Sequence, residues 1–209
     1  MPKKESCCGG ISSNDLNRLV KNSYKKKKNI KPISGYELNK ELSSKRSKIY
    51  SNAEGQALIS HSGTDSAKDW VNNAFIPFGQ YKNTERYKRQ EAAQKKVNAV
   101  YGKDNVLTTS HSQSGETARI LSKKGLSSKS VSINPAIILK KHKNVQVVRS
   151  SGDLVSALTP MGKNDVTLDS ATYSPLAEHS PSVLSRTDQD FGGQYLKPRS
   201  RGMCFVMEN

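Results

Sequence analysis

The chain has 209 residues, 34 Lys/Arg against 18 Asp/Glu for a formal charge of +16, and only 33% hydrophobic residues. That length accommodates one domain with tails, no stretch approaches the roughly 18 apolar residues of a membrane span, and polar tails would explain the low apolar fraction. Three cysteines, Cys7, Cys8 and Cys204, all in the terminal segments, give no disulfide framework and suit a reducing compartment. The basic surplus favours anionic partners such as nucleic acid or acidic lipid headgroups.

Residues 1–34 hold nine Lys/Arg and two acids and include the run Lys25 to Lys28. They read as a basic flexible arm with one short helix at Asn14–Asn22. The start MPKKESCCGG has no apolar signal-peptide core, so secretion by that route is not expected. A domain is expected over 35–186. Within it, Glu37–Arg46 reads as a polar helix, and Lys48–Asn52 and Gln56–His61 read as strands joined by a turn at Glu54–Gly55. Asp65–Ala74 reads as a short helix. Asn83–Tyr101 reads as a long amphipathic one with Ala92, Ala93, Val97 and Val100 on its apolar side, stopped by Gly102. Strands follow at Asn105–Thr109, Lys129–Ile133 and Asn144–Arg149, with a helix at Glu116–Lys124 between the first two. This alternation predicts an α/β fold, a mostly parallel sheet with helices on both faces. Beyond Ser150 the chain reads as loops with a short helix at Pro181–Arg186, and 187–209 as a tail.

The chemistry concentrates in VLTTSHSQSG, Val106 to Gly115. A strand, a tight cluster of small residues and a helix form the layout of a nucleophile elbow, which lifts a serine hydroxyl above a sheet. Ser112 fits the apex better than Ser114, because a Ser114 apex would put the long Glu116 where the turn needs a small residue. A serine needs a histidine to take its proton and an acid to orient that histidine. Asp153 follows a strand in VQVVRSSGDLVSAL, and His179 lies in PLAEHSPSVL just before the last predicted helix. Each also has a plain reading, as a turn aspartate and a surface histidine. His142, among lysines, reads as solvated, and His111 would point away from an apical Ser112. The strand ending in Ser62-Gly63-Thr64 supplies a turn at the sheet's top. Thr64 and the Gln113 amide are candidate donors to an oxyanion. No Cys/His cluster has metal-ligand spacing, so no cofactor is expected.

Four blocks in order, YSNAEGQALISHSGTDSAKDW, TTSHSQSG, NVQVVRSSGDLVSAL and YSPLAEHSPSVL, resemble the class 3, fungal-lipase-like branch of the α/β-hydrolase fold, notably the small lipase-like proteins of DNA viruses. The resemblance spans about 36–186. It implies a serine carboxylester hydrolase acting through an acyl-enzyme on lipid or phospholipid esters. Ser112, Asp153 and His179 would be catalytic, with Thr64 and Gln113 as the oxyanion hole. It also implies that the apolar stretch with Trp70, Phe75 and Phe78 forms or borders a lid over the acyl site. The setting it implies is cytoplasmic or virion-associated, with an anionic membrane surface or capsid proteins as partners. The chain departs from the family pattern at three places. Ser110 and Ser114 replace the elbow glycines, and Ser62 replaces the arginine before Gly63. That leaves a second expectation, a catalytically weak or inactive lipase-fold structural protein whose basic arm binds nucleic acid or partner proteins.

Overall fold

The computed structural model describes residues 11–26, 29–64, 80–136, 140, 142–188 and 190–191. Two short strands, β1 (Ile11–Ser12) and β9 (Asp190–Phe191), pair antiparallel and join the two ends of the described chain. Between them, β1 leads into helix α1 (Ser13–Ser23) and a seven-stranded sheet follows. Its strands are β2 (Glu37–Leu38), β3 (Ser47–Ser51), β4 (Ala57–His61), β5 (Val106–Ser112), β6 (Ser130–Pro135), β7 (Val145–Ser150) and β8 (Val166–Leu168), adjacent in chain order. The β2–β3 and β3–β4 pairs are antiparallel, and every pair from β4 to β8 is parallel. The molecule therefore has a general α/β fold with a mostly parallel sheet.

Strand order that advances in one direction, combined with right-handed crossovers, puts both crossover helices on one face. These are α2 (Glu85–Tyr101) and α3 (Ser114–Lys123). On this face Ala93 and Val97 of α2 pack with Ile49, Ala57, Ile59 and Val106. The opposite face carries Tyr50, Leu58, Leu107, Val131, Ile133 and Val148, which pack with Leu16, Leu19 and Val20 of α1 and with Val183 and Leu184 of the 3-10 turn Pro181–Arg186. A short helix, α4 (Pro175–Glu178), precedes that turn.

Four expectations differ from this architecture. The segment from 187, read as a tail, supplies β9, and Phe191 is buried in the core. Within the arm read as flexible, the short helix expected at Asn14–Asn22 is present as α1 (Ser13–Ser23), but its apolar side is packed into the core. Ser12 caps the helix by accepting the Asp15 N–H at 3.1 Å, and Leu16, Leu19 and Val20 are fully buried. Each such side chain contributes about 1.5–3 kcal/mol of hydrophobic stabilisation, enough to hold a helix flanked by lysines. Glu37–Arg46 is not a helix. Its first two residues pair with β3, and its serines bond locally, with the Ser43 hydroxyl accepting the Ile49 N–H at 2.9 Å and the Ser44 hydroxyl that of Ser47 at 3.1 Å. Such bonds compete with a helix ladder. The buried face of α2 is Tyr87, Gln90, Ala93, Gln94 and Val97, whereas Ala92 and Val100 are exposed.

The glutamines point inward because the sheet face they meet is itself polar. Thr108 donates to Gln94 Oε1 at 3.0 Å, Ser127 donates to Thr108 at 2.8 Å, and Ser110 donates to Ser132 at 3.1 Å. Thr108, Ser110, Ser127, Ser130 and Ser132 are all buried. The low apolar fraction thus reflects a hydroxyl-rich interior and not only polar tails.

Candidate active site

Three loops at the carboxyl ends of parallel strands meet at one point, where open α/β sheets gather functional groups. Ser112 is the last residue of β5, and its φ of 56 puts a non-glycine residue in the left-handed region. Such a conformation costs on the order of 1 kcal/mol or more and persists only where the surroundings impose it. Here the register against β6 shifts between His111 and Ser112, and the Ser112 carbonyl accepts the Ala136 N–H at 3.0 Å. Helix α3 begins two residues later. A Cβ on Gly115, in its first turn, would lie 2.5 Å from Pro135 Cβ, so this helix closes onto β6 only with glycine there.

Asp153 follows β7 and is fully buried. Its N–H donates to Ser150 O at 3.2 Å, and its Oδ1 accepts the Val155 N–H at 3.0 Å, which fixes the carboxylate. His179 caps α4, its N–H donating to Pro175 O at 2.9 Å. His179 Nε2 is 2.8 Å from Ser112 Oγ, and its Nδ1 is 3.0 Å from each Asp153 oxygen. Bonding of Nδ1 to the acid assigns the Nδ1–H tautomer and turns the Nε2 lone pair toward the Ser112 hydroxyl. The three residues singled out in the sequence therefore stand in one hydrogen-bonded line.

The turn after β4 sits beside them. Thr64 Oγ1 donates to Gln113 Oε1 at 3.1 Å, which joins the two candidate oxyanion residues. A Cβ on Gly63 would lie 2.7 Å from His111 O and 3.0 Å from Ser112 Cβ, so only glycine lets the turn approach Ser112 this closely. The Gly63 carbonyl accepts from Arg86 and, at 3.2 Å, from Arg46. In a trans peptide the N–H opposes the C=O. The two guanidinium contacts therefore aim the Thr64 amide away from themselves and polarise it. Trp70, Phe75 and Phe78 lie outside the described residues.

Several residues that pattern-reading did not single out build the frame. Asn134, at the end of β6 with φ 40, donates to Glu178 O at 2.8 Å and Ser180 O at 3.2 Å, and accepts the Ser150 N–H at 3.0 Å. It thus grips the His179 loop on both sides of the histidine and ties it to the strand that leads to Asp153. An asparagine directly after the expected strand Lys129–Ile133 was its only sequence signal. Glu178 is buried and holds Arg186, and that guanidinium keeps its carboxyl below the usual carboxylate range. At the elbow, Ser114 donates to Ser62 O at 2.6 Å, and Gln90 Nε2 donates to both Ser114 Oγ and Ser62 O at 2.9 Å. His111 does face the side of β5 away from α3, yet its ring centroid lies 5.2 Å from that of His179. Burial, and then the neighbouring His179, push its pKa down to about 3.

Among the described residues, no group of three or more His, Cys, Asp or Glu is placed to hold a metal ion, and no helix is long and apolar enough to cross a membrane. No family model, curated protein or solved structure matches the chain.

Proposed function

We propose that this chain is a serine ester hydrolase of the α/β-hydrolase kind, lipase- or phospholipase-like, working through an acyl-enzyme. The observation that carries the reading is Ser112 at φ 56 with its hydroxyl 2.8 Å from the Nε2 of a histidine whose Nδ1 meets a buried carboxylate. A strained serine in that line is arranged for nucleophilic attack.

In the proposed cycle, Ser112 Oγ attacks the ester carbonyl while its proton passes to His179 Nε2. Asp153 stabilises the imidazolium, and the Gln113 and Thr64 amides face the oxyanion. His179 then gives the proton to the departing alcohol. Water enters, is deprotonated by His179 in the same way, and the acid product leaves with Ser112 restored.

Lipid esters are the favoured substrate class because of what surrounds the triad. Leu154, Leu158, Tyr173 and Leu176 are large apolar residues left 69%, 72%, 107% and 55% exposed. Leu154, Leu158 and Tyr173 lie in the loops beyond β7 and β8 and Leu176 in α4, the segments that carry Asp153 and His179. Exposed apolar side chains on those segments suit an apolar or interfacial substrate, and a net charge of +16 suits anionic headgroups.

The test compares wild type with Ser112→Ala on p-nitrophenyl butyrate and on phosphatidylglycerol vesicles. Wild-type turnover with at least a thousandfold loss in the variant is expected. Equal rates for the two proteins would sink the hydrolase reading and favour a structural role for the fold.

A further inference from the structure

Four groups from four segments form one directional chain behind the nucleophile. The Gly63 N–H donates to Tyr24 Oη at 2.8 Å, Tyr24 Oη lies 2.6 Å from His111 Nδ1, and His111 Nε2 lies 2.8 Å from the His179 carbonyl oxygen. A carbonyl oxygen only accepts, so His111 Nε2 carries the proton. A neutral imidazole has one N–H, so Nδ1 is bare and accepts the Tyr24 hydroxyl. The tyrosine oxygen keeps a lone pair for the Gly63 amide. Each donor and acceptor has a single consistent assignment, and the depressed basicity of buried His111 keeps it neutral through the physiological range.

We infer that Tyr24 is a positioning residue for the ester-hydrolase site, its hydroxyl tying the Gly63–Thr64 turn to the His179 backbone by way of His111. The inference rests on the reading of Ser112 as nucleophile. Tyr24 is the C-terminal cap of α1, so the amino-terminal helix sets the spacing between the oxyanion turn and the base. The fit is tight. A Cβ on Gly63 would meet Tyr24 Oη at 2.9 Å, and the Tyr24 and His111 rings meet edge to face at 5.7 Å and 78°. Arg46 and Arg86 hold the Gly63 carbonyl while Tyr24 holds the Gly63 amide, so both peptide groups of the turn are pinned. Chains of this kind reinforce one another in a low-dielectric interior. Loss of the hydroxyl would release the turn and His111 together, and small displacements of oxyanion donors or base cost rate more than binding.

The experiment uses the full chain and p-nitrophenyl butyrate. Tyr24→Phe is expected to lower kcat about 10- to 100-fold with KM within about twofold, and to slow fluorophosphonate labelling of Ser112 by a similar factor. Wild-type kcat in Tyr24→Phe overturns the inference, even if its melting temperature falls. Should the variant fail to fold, nitrogen-15 NMR of the wild-type imidazoles decides. His111 as the Nε2–H tautomer supports the chain, and His111 as the Nδ1–H tautomer overturns it. Absence of wild-type turnover refutes the hydrolase reading and the role of Tyr24 with it. Wild-type turnover with an unaffected Tyr24→Phe refutes the role of Tyr24 alone.

Discussion

Glu178, the residue before the candidate base, offers a measurement that separates structural support from chemistry. Its side chain is 1% exposed and its two oxygens accept from Arg186 Nη1 at 2.6 Å and Nη2 at 2.9 Å. The Ser150 hydroxyl also donates to it, as do the Thr172 N–H at 2.9 Å, the Thr172 hydroxyl at 2.8 Å and the Ala171 N–H at 3.2 Å. Glu178→Gln keeps the volume but turns an NH2 group toward this ring of donors and leaves Arg186 without its carboxylate. Breaking a fully buried pair costs about 3–5 kcal/mol. Arg186 is 24% exposed and partly rehydrates, which lowers the expected loss to about 2–3 kcal/mol. For a chain of this size that is a drop in melting temperature of roughly 5–10 °C. The carboxyl pKa is depressed in the folded state, first by Arg186 and further by the Ser150 and Thr172 bonds. The contribution is therefore fully present above the unfolded value of about 4.3 and is lost as pH falls toward the folded one. Urea unfolding of wild type and Glu178→Gln should show a constant gap between about pH 5 and pH 7 that narrows below about pH 4. A gap under about 1 kcal/mol at pH 7, or one that widens on acidification, would refute this account of the loop.

Asn134→Ala removes the grip on both carbonyls flanking His179 and puts alanine at φ 40; a loss of about 2 kcal/mol with a fall in kcat is expected. Asn134→Gly relieves the dihedral without restoring the bonds, so it should recover stability more than rate, and the reverse order in urea titration and steady-state kinetics would contradict the assignment. Ser114→Gly should destabilise by about 1–2 kcal/mol by thermal melting because Gln90 and the Ser62 carbonyl lose a buried partner.

The strand, serine and helix of the elbow were readable because a short apolar, strand-like run ended in a cluster of small residues and a helix pattern began at once. Asp153 and His179 were readable by scarcity, since few acids and histidines follow Ser112. The amino-terminal helix was readable at Asn14–Asn22, but its packing into the core was not. Lys21 and Lys25 to Lys28 mask a Leu16, Leu19, Val20 stripe that is short but apolar on one side. On α2 the apolar bias worked in reverse: Ala92 and Val100, read onto the apolar side, are exposed, and Gln90 and Gln94 are buried. Which side of a helix turns inward depends on the sheet it meets, and a sheet rich in Thr108, Ser110 and Ser132 selects Gln90 and Gln94. Asn134 reaches Glu178 O, Glu178 reaches Ser150 and Tyr24 reaches the Gly63 N–H across long stretches of chain, which no local pattern encodes.

The elbow substitutions change meaning once the backbone is known. Glycine is needed in such a turn where φ is positive or where a Cβ would collide. Among the described residues, positive φ outside glycine occurs at Ser112 and Asn134, so neither Ser110 nor Ser114 requires glycine for its dihedral. Their remaining cost is a buried hydroxyl, about 1–3 kcal/mol if unpartnered. Ser110 meets that by donating to Ser132, and Ser114 by bonding to Ser62 O and Gln90. The strain therefore stays on the one residue whose hydroxyl faces His179. Close approach, the second reason for glycine, holds at Gly63, Gly115 and Gly152, and none of these is Ser110 or Ser114. The premise for a weakened site was a turn distorted by extra Cβ atoms, and here those atoms bring hydroxyls that bind the turn to its neighbours.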